Sequence, residues 1–209
     1  MSAGAGAGVG AGGRALTPEE VRAVVAAVVA GLPTRPAAGP DVETGHGEEP
    51  RGPVPLADVA VGADHAGYRL KERIRDELAG HGFSVHDCGT GGTEAVDYPD
   101  FAHAVARLVS GGGCRWGIVV DGAGIGSCMV ANKVPGVRAA TCWDVSSARN
   151  SREHNHANVL VLGAGFIGEA LALEIVQTWL STPWGGERHA RRVERITEIE
   201  RRYLAGARR

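Results

Sequence analysis

Two short segments of the chain concentrate side chains that can do chemistry. Asp64-His65-Ala66-Gly67 sets a carboxylate and an imidazole ahead of a glycine. Asp121-Gly122-Ala123-Gly124-Ile125-Gly126-Ser127 sets a carboxylate ahead of a glycine-rich loop. Carboxylates and imidazoles move protons, and bare amides at the start of a helix hold an oxyanion, including one that develops during a reaction. Asp144 and the run Ser151-Arg152-Glu153-His154-Asn155-His156 add two carboxylates and two imidazoles. The loop has a competing reading as a dinucleotide fingerprint, with Asp144 about twenty residues on as the ribose-binding acid. Its third glycine comes one residue early, however, with Ser127 in that place, and the loop follows the third strand, not the first. The oxyanion reading is the better fit.

These segments have to be positioned by regular elements, and the pattern from residue 56 onward supplies them. Apolar runs expected as strands, 57–63, 83–88, 116–120, 137–143 and 158–162, alternate with amphipathic stretches expected as helices, 65–80, 99–110, 127–133, 145–152, 168–180 and 186–204. Such alternation predicts a Rossmann-like, doubly wound α/β/α sandwich around a five-stranded parallel sheet. Ligands bind such sheets beyond the carboxyl ends of the strands. The segments after strands one, three and four are therefore expected to form one site.

Composition narrows the function classes. A net charge of −2 argues against a dedicated nucleic-acid binder, and the arginine-rich end from Arg188 reads as a solvated helix with one phosphate-facing edge. Cys88, Cys114, Cys128 and Cys142 are widely spaced, signalling neither a zinc site nor a disulfide framework. No apolar run reaches the ~18 residues of a membrane span and no secretory signal is evident, so a soluble, cytoplasmic protein is expected. Residues 1–55 hold no aromatic residue and most of the prolines. They read as a disordered Ala/Gly leader (1–15), an amphipathic helix (16–32) and a Pro/Gly-rich linker (33–55), ahead of a globular domain over 56–209. Thr17, Pro18 and Glu20 start the helix as a capping box, and Val21, Val24, Val25, Val28 and Leu32 share one face. This segment resembles the encapsulation peptides of enzymes packaged in bacterial microcompartments. That resemblance implies a shell-protein partner and a microcompartment lumen; the alternative is docking on its own domain or another subunit.

Asp64-His65-Ala66-Gly67, Asp97-Tyr98-Pro99, the glycine loop running to Ala131-Asn132-Lys133, Ser151-Arg152-Glu153-His154-Asn155 and Arg188-His189-x-x-Arg192 occur in order over residues 56–204. In these the domain resembles the ribose-5-phosphate isomerase B and galactose-6-phosphate isomerase family. The resemblance implies aldose–ketose isomerisation of a sugar phosphate through an enediolate, ribose 5-phosphate to ribulose 5-phosphate being the leading case, with no cofactor and no metal. It implies that His154 opens the sugar ring and that the loop amides from Gly122 through Ala123, Gly124 and Ile125 to Gly126 stabilise the enediolate. Arg188 and Arg192, one helical turn apart, would grip the phosphate. Asp64, His65 and Asn155 would contact the substrate, and Tyr98 would line the pocket. It also implies a homodimer or dimer of dimers, because family members build each site from two subunits.

The departures from the family pattern bear on the base. Many members carry a cysteine where Asp121 stands, and another subgroup a glutamate where Ser127 stands. Asp121 is the natural substitute, with Cys128 the runner-up. Gly165 falls where many members have a further phosphate-binding arginine, a loss that Arg149 or Arg152 could offset. A catalytically altered family member serving as a binding or scaffold component is the alternative function, with a nucleotide-binding protein behind it.

Overall fold

The computed structural model describes residues 57–206. The leader, helix and linker expected over 1–55 lie outside the described residues. Every strand and helix expected from residue 56 onward is present, with boundaries shifted by a few residues. In order they are β1 (Ala57–Ala63), α1 (Tyr68–Gly80), β2 (Val85–Asp87), α2 (Tyr98–Ser110), β3 (Cys114–Asp121), α3 (Ile125–Ala131), β4 (Ala139–Thr141), α4 (Val145–Glu153), β5 (Val159–Gly163), α5 (Glu169–Ser181) and α6 (Glu187–Gly206). The expected strands 83–88 and 137–143 keep three residues each as β2 and β4.

All pairings are parallel, in the order β2-β1-β3-β5-β4, the doubly wound arrangement expected. Strand residues alternate between two cores. Val59, Val61, Ile118, Val120, Leu160 and Leu162 face α1, α4 and α5, where Ile74, Ala148, Ile175 and Trp179 meet them. Ala60, Val119, Val159 and Val161 face the other way, onto Val105 and Leu108 of α2 and Ala131 of α3. Each fully buried aliphatic side chain contributes roughly 1.5–3 kcal/mol. Burial on both faces is what a parallel sheet requires, and it accounts for the near-continuous apolar strands.

From β1 the chain crosses to β2 on one side; from β3 it crosses the other way, over β5, to β4. The loops after β1 and β3 therefore diverge, opening a crevice at the carboxyl edge of the sheet. The helix that follows each strand carries the chain back to the opposite edge. Among the described residues, no helix is long and apolar enough to cross a membrane.

Candidate active site

The loops after β1 and β3 line that crevice. Asp64, 7% exposed, accepts a hydrogen bond from the Gly67 amide at 2.9 Å and so fixes the turn into α1. His65 Nδ1 accepts from the Val96 amide at 3.2 Å, which leaves Nε2 as the donor position of the neutral ring. Tyr98, at the start of α2, lays its ring against the loop: a Cβ on Gly126 would sit 2.6 Å from the phenol oxygen. Glycine at 126 is thus what lets Tyr98 reach the crevice.

Asp121 ends β3, 4% exposed, and its carboxylate turns back over the loop. Oδ1 accepts from the Ala123 amide at 2.8 Å and from the Gly124 amide; among the described residues Oδ2 accepts only from the Ser127 amide, at 3.2 Å. Two of the amides expected to face an enediolate are therefore occupied by Asp121 itself. Ile125 and Gly126, the first two residues of α3, have no intrahelical acceptor for theirs. The loop is braced from the β4–β5 side, where Thr141 Oγ1 donates to the Gly124 carbonyl at 2.8 Å and the Gly165 amide donates to the Gly122 carbonyl at 2.9 Å. The Ser127 hydroxyl is buried with no partner among the described residues. Cys128 points elsewhere: its thiol lies 3.4 Å from the Ala139 carbonyl at the start of β4.

The sequence reading placed residues 151–156 with this crevice, and the structure places them at the opposite edge. α4 leaves the carboxyl end of β4 and runs back along the sheet, so His154 emerges near Asn158, whose carbonyl accepts from the Gly117 amide at 3.0 Å. Gly117 lies four residues before Asp121 on β3, which at about 3.3 Å per residue puts His154 and Asp121 at levels ~13 Å apart. There His154 Nδ1 lies 3.0 Å from Asn150 Nδ2, and its ring stacks on His189 of α6 at 4.1 Å between centroids and 15° between planes. Arg188 Nε donates to His189 Nε2 at 3.1 Å, and Arg192 Nη1 donates to the Arg188 carbonyl at 3.2 Å. Asn155 is exposed beside them, its Nδ2 3.4 Å from Asn150 Oδ1. His156 stacks on Trp184 at 4.7 Å.

Electrostatics separates working groups from structural ones. Burial, together with the Arg138, Arg152 and Arg115 charges, pushes the His156 imidazole down to about 4, so it braces this edge as a neutral ring. Lost hydration and the neighbouring His154, Arg188 and Arg192 hold His189 below the ordinary imidazole value. Burial pushes the Cys88 thiol up and raises Cys114 and Cys142 to about 11, which leaves them unreactive at neutral pH. Arg152 is buried, stacked at 4.0 Å over Trp116 and bonded to the Ala157 carbonyl, so it cannot stand in for an arginine at 165. A Cβ at Gly165 would come within 2.9 Å of the Gly122 carbonyl. Absence of a side chain lets this turn close on the loop, and the exposed Trp143–Phe166 pair, edge to face at 5.3 Å, forms the adjoining rim.

Sequence reasoning missed the roles of Thr141, His189 and the aromatic rim. His189 stood in a quoted motif, but its contact with a residue 35 positions earlier had no signature. Asp144, the acid that a nucleotide reading needs, caps α4 by accepting from the Ser147 amide at 2.8 Å.

A doubly wound sheet with a carboxylate and glycine loop at one edge, and imidazole and arginine side chains at the other, defines an α/β protein equipped for proton transfer on a small anionic molecule. Residues 59–196 match the model of the Ribose/Galactose Isomerase family, and the chain belongs to that family. It is 44% identical over 147 residues to ribose-5-phosphate isomerase B of Escherichia coli, an alignment covering 70% of this chain and 99% of that protein. The structure of Clostridium thermocellum ribose-5-phosphate isomerase B superposes with a TM-score of 0.69 at 52% identity, over 70% of this chain and 99% of that one. Ribose-5-phosphate isomerase B from Mycoplasma genitalium with bound ribulose-5-phosphate gives 0.67 at 37% identity, over 69% and 96%.

Proposed function

We propose that this member of the family, a sugar-phosphate isomerase, interconverts ribose 5-phosphate and ribulose 5-phosphate at sites shared between two copies of the chain. The observation that carries this reading is the separation of the proton-transfer groups. Ring opening and removal of the C2 proton act on neighbouring atoms of one small sugar, and reacting groups must come within about 3–3.5 Å of their targets. His154 and Asp121 of one chain, at levels ~13 Å apart along the sheet, cannot both do so. The carboxyl edge of one copy facing the amino edge of a second brings them together. Exposed Ile125 and Met129 on α3, beside the loop, are an apolar surface such a second copy would cover.

In this site Arg188 and Arg192 grip the phosphate, and His154 delivers a proton to the ring oxygen as its bond to C1 breaks, the C1 hydroxyl proton passing to solvent to leave the aldehyde. Asp64, His65 and Asn155 orient the hydroxyls, with Tyr98 against the carbon chain. Asp121 removes the C2 proton through Oδ2, the oxygen with the single long contact, while Oδ1 stays anchored to the loop. The Ile125 and Gly126 amides then face the enediolate oxygens as the O2 hydroxyl proton passes to O1, and Asp121 returns its proton to C1, leaving the C2 carbonyl of the ketose. Deuterium incorporation from deuterated water during turnover of ribose 5-phosphate tests this directly. Wild type should exchange and Asp121→Asn should not; no exchange in wild type, or an unchanged rate in the variant, removes the mechanism.

Residues 16–32 are proposed to address the enzyme to the lumen of a bacterial microcompartment, on the strength of their resemblance to encapsulation peptides. Residues 1–55 fused to a fluorescent protein should then gather in shells, and diffuse fluorescence would count against it.

A further inference from the structure

At the amino edge of the sheet, one side chain with no assigned role touches both groups on which the proposed reaction depends there. His189 is 7% exposed, the sole buried side chain of α6 among the described residues. One face of its ring lies on His154, at 4.1 Å and 15°. Its Nε2 accepts from Arg188 Nε at 3.1 Å, and this requires a neutral ring with its proton on Nδ1. The Gly185 amide, bonded to the Glu153 carbonyl at 2.9 Å, ties the start of α6 to the end of α4 and holds the two rings in register.

We propose that His189 is a positioning residue that couples the phosphate grip to ring opening, fixing the Arg188 guanidinium through Nε2 and the His154 imidazole through its face. The proposal rests on the isomerase reading above. The two contacts use different parts of one ring, so each can be removed alone. Phenylalanine keeps a flat ring for His154 and removes the acceptor for Arg188. Glutamine keeps an acceptor oxygen near the Nε2 position and removes the stacking face. Both fill the space, which alanine would not.

The groups facing His189 are His154 and Glu153 from the end of α4 and Arg188 and Arg192 from α6. Protonating its ring would abolish the acceptor and place a third cation beside the two arginines.

Steady-state kinetics of the full chain with ribose 5-phosphate separates the contacts. His189→Phe should raise KM about fivefold or more with kcat within about twofold, because phosphate binding is weakened uniformly. His189→Gln should lower kcat about tenfold with KM nearly unchanged, and should displace the acid limb of the kcat profile, because the ring-opening imidazole is no longer held. A smaller thermal shift with inorganic phosphate in His189→Phe than in wild type should accompany the KM change. Parallel loss of kcat and KM in both variants, or no change in either, overturns the proposal while wild-type turnover leaves the isomerase reading standing. No turnover by wild type removes both.

Discussion

If each site is assembled from the carboxyl edge of one chain and the amino edge of another, two inactive variants should repair each other. Asp121→Asn and His154→Asn each remove one proton-transfer group from every site of a homodimer, at a cost of about 10²–10⁴ in rate. Mixing equal amounts and allowing subunits to exchange makes about half the dimers mixed. In a mixed dimer one site takes both substituted residues and the other takes Asp121 and His154 intact. About one quarter of wild-type sites are thereby restored, a gain of at least tenfold over either parent. The assay is turnover of ribose 5-phosphate before and after exchange, followed until the rate is constant. The ~13 Å offset between the levels of Asp121 and His154 is the basis of the expectation. A mixture that never exceeds the mean of its parents would show that both groups act from one chain and would refute the shared site.

Two further outcomes follow from local geometry. A Cβ at Gly67 would overlap the Val120 carbonyl of β3, whereas one at Gly126 would meet the half-exposed ring of Tyr98 at 2.6 Å. Gly67→Ala should therefore cost about 3 kcal/mol or more in urea unfolding, while Gly126→Ala should cost under about 1 kcal/mol and lower activity by displacing Tyr98; equal losses of stability would contradict this. His156, depressed to about 4 in the folded chain, binds its proton more readily when unfolded, so it adds stability above its ordinary value near 6.5 that is lost as pH falls toward 4. His156→Asn, which suits the φ of 51° there, should flatten the stability–pH curve in that window, and an unchanged slope would exclude His156 as its source.

What could be read in advance was what depends on periodicity and on adjacency in the chain. Apolar runs alternating with amphipathic stretches gave the strands and helices of a parallel sheet, and Asp64 and Asp121 were placed at the crevice because each directly adjoins a strand end. The placement of His154 went wrong because adjacency to β4 was carried across α4, and nine helical residues return the chain to the far edge. Side-chain direction was beyond reach as well. That Asp121 spends Oδ1 on the Ala123 and Gly124 amides depends on the fold of the loop, which no spacing encodes. Gly165 was visible as a departure, but its cause, the close approach of the Gly122 carbonyl, is tertiary.

The length of β3 also bears on how such a chain can change. Its eight residues hold the carboxylate-bearing loop and the imidazole–arginine edge farther apart than the ~8–10 Å over which exposed charges sense one another in physiological salt. A new anionic carboxylate in the loop therefore leaves the arginines and His154 of its own chain electrostatically undisturbed. Within one chain the two edges can be altered independently, with the sheet serving as insulation. If sites are shared as proposed, the constraint between them acts only across the joint between copies, and a substitution at one edge is judged against a surface encoded elsewhere in the same sequence.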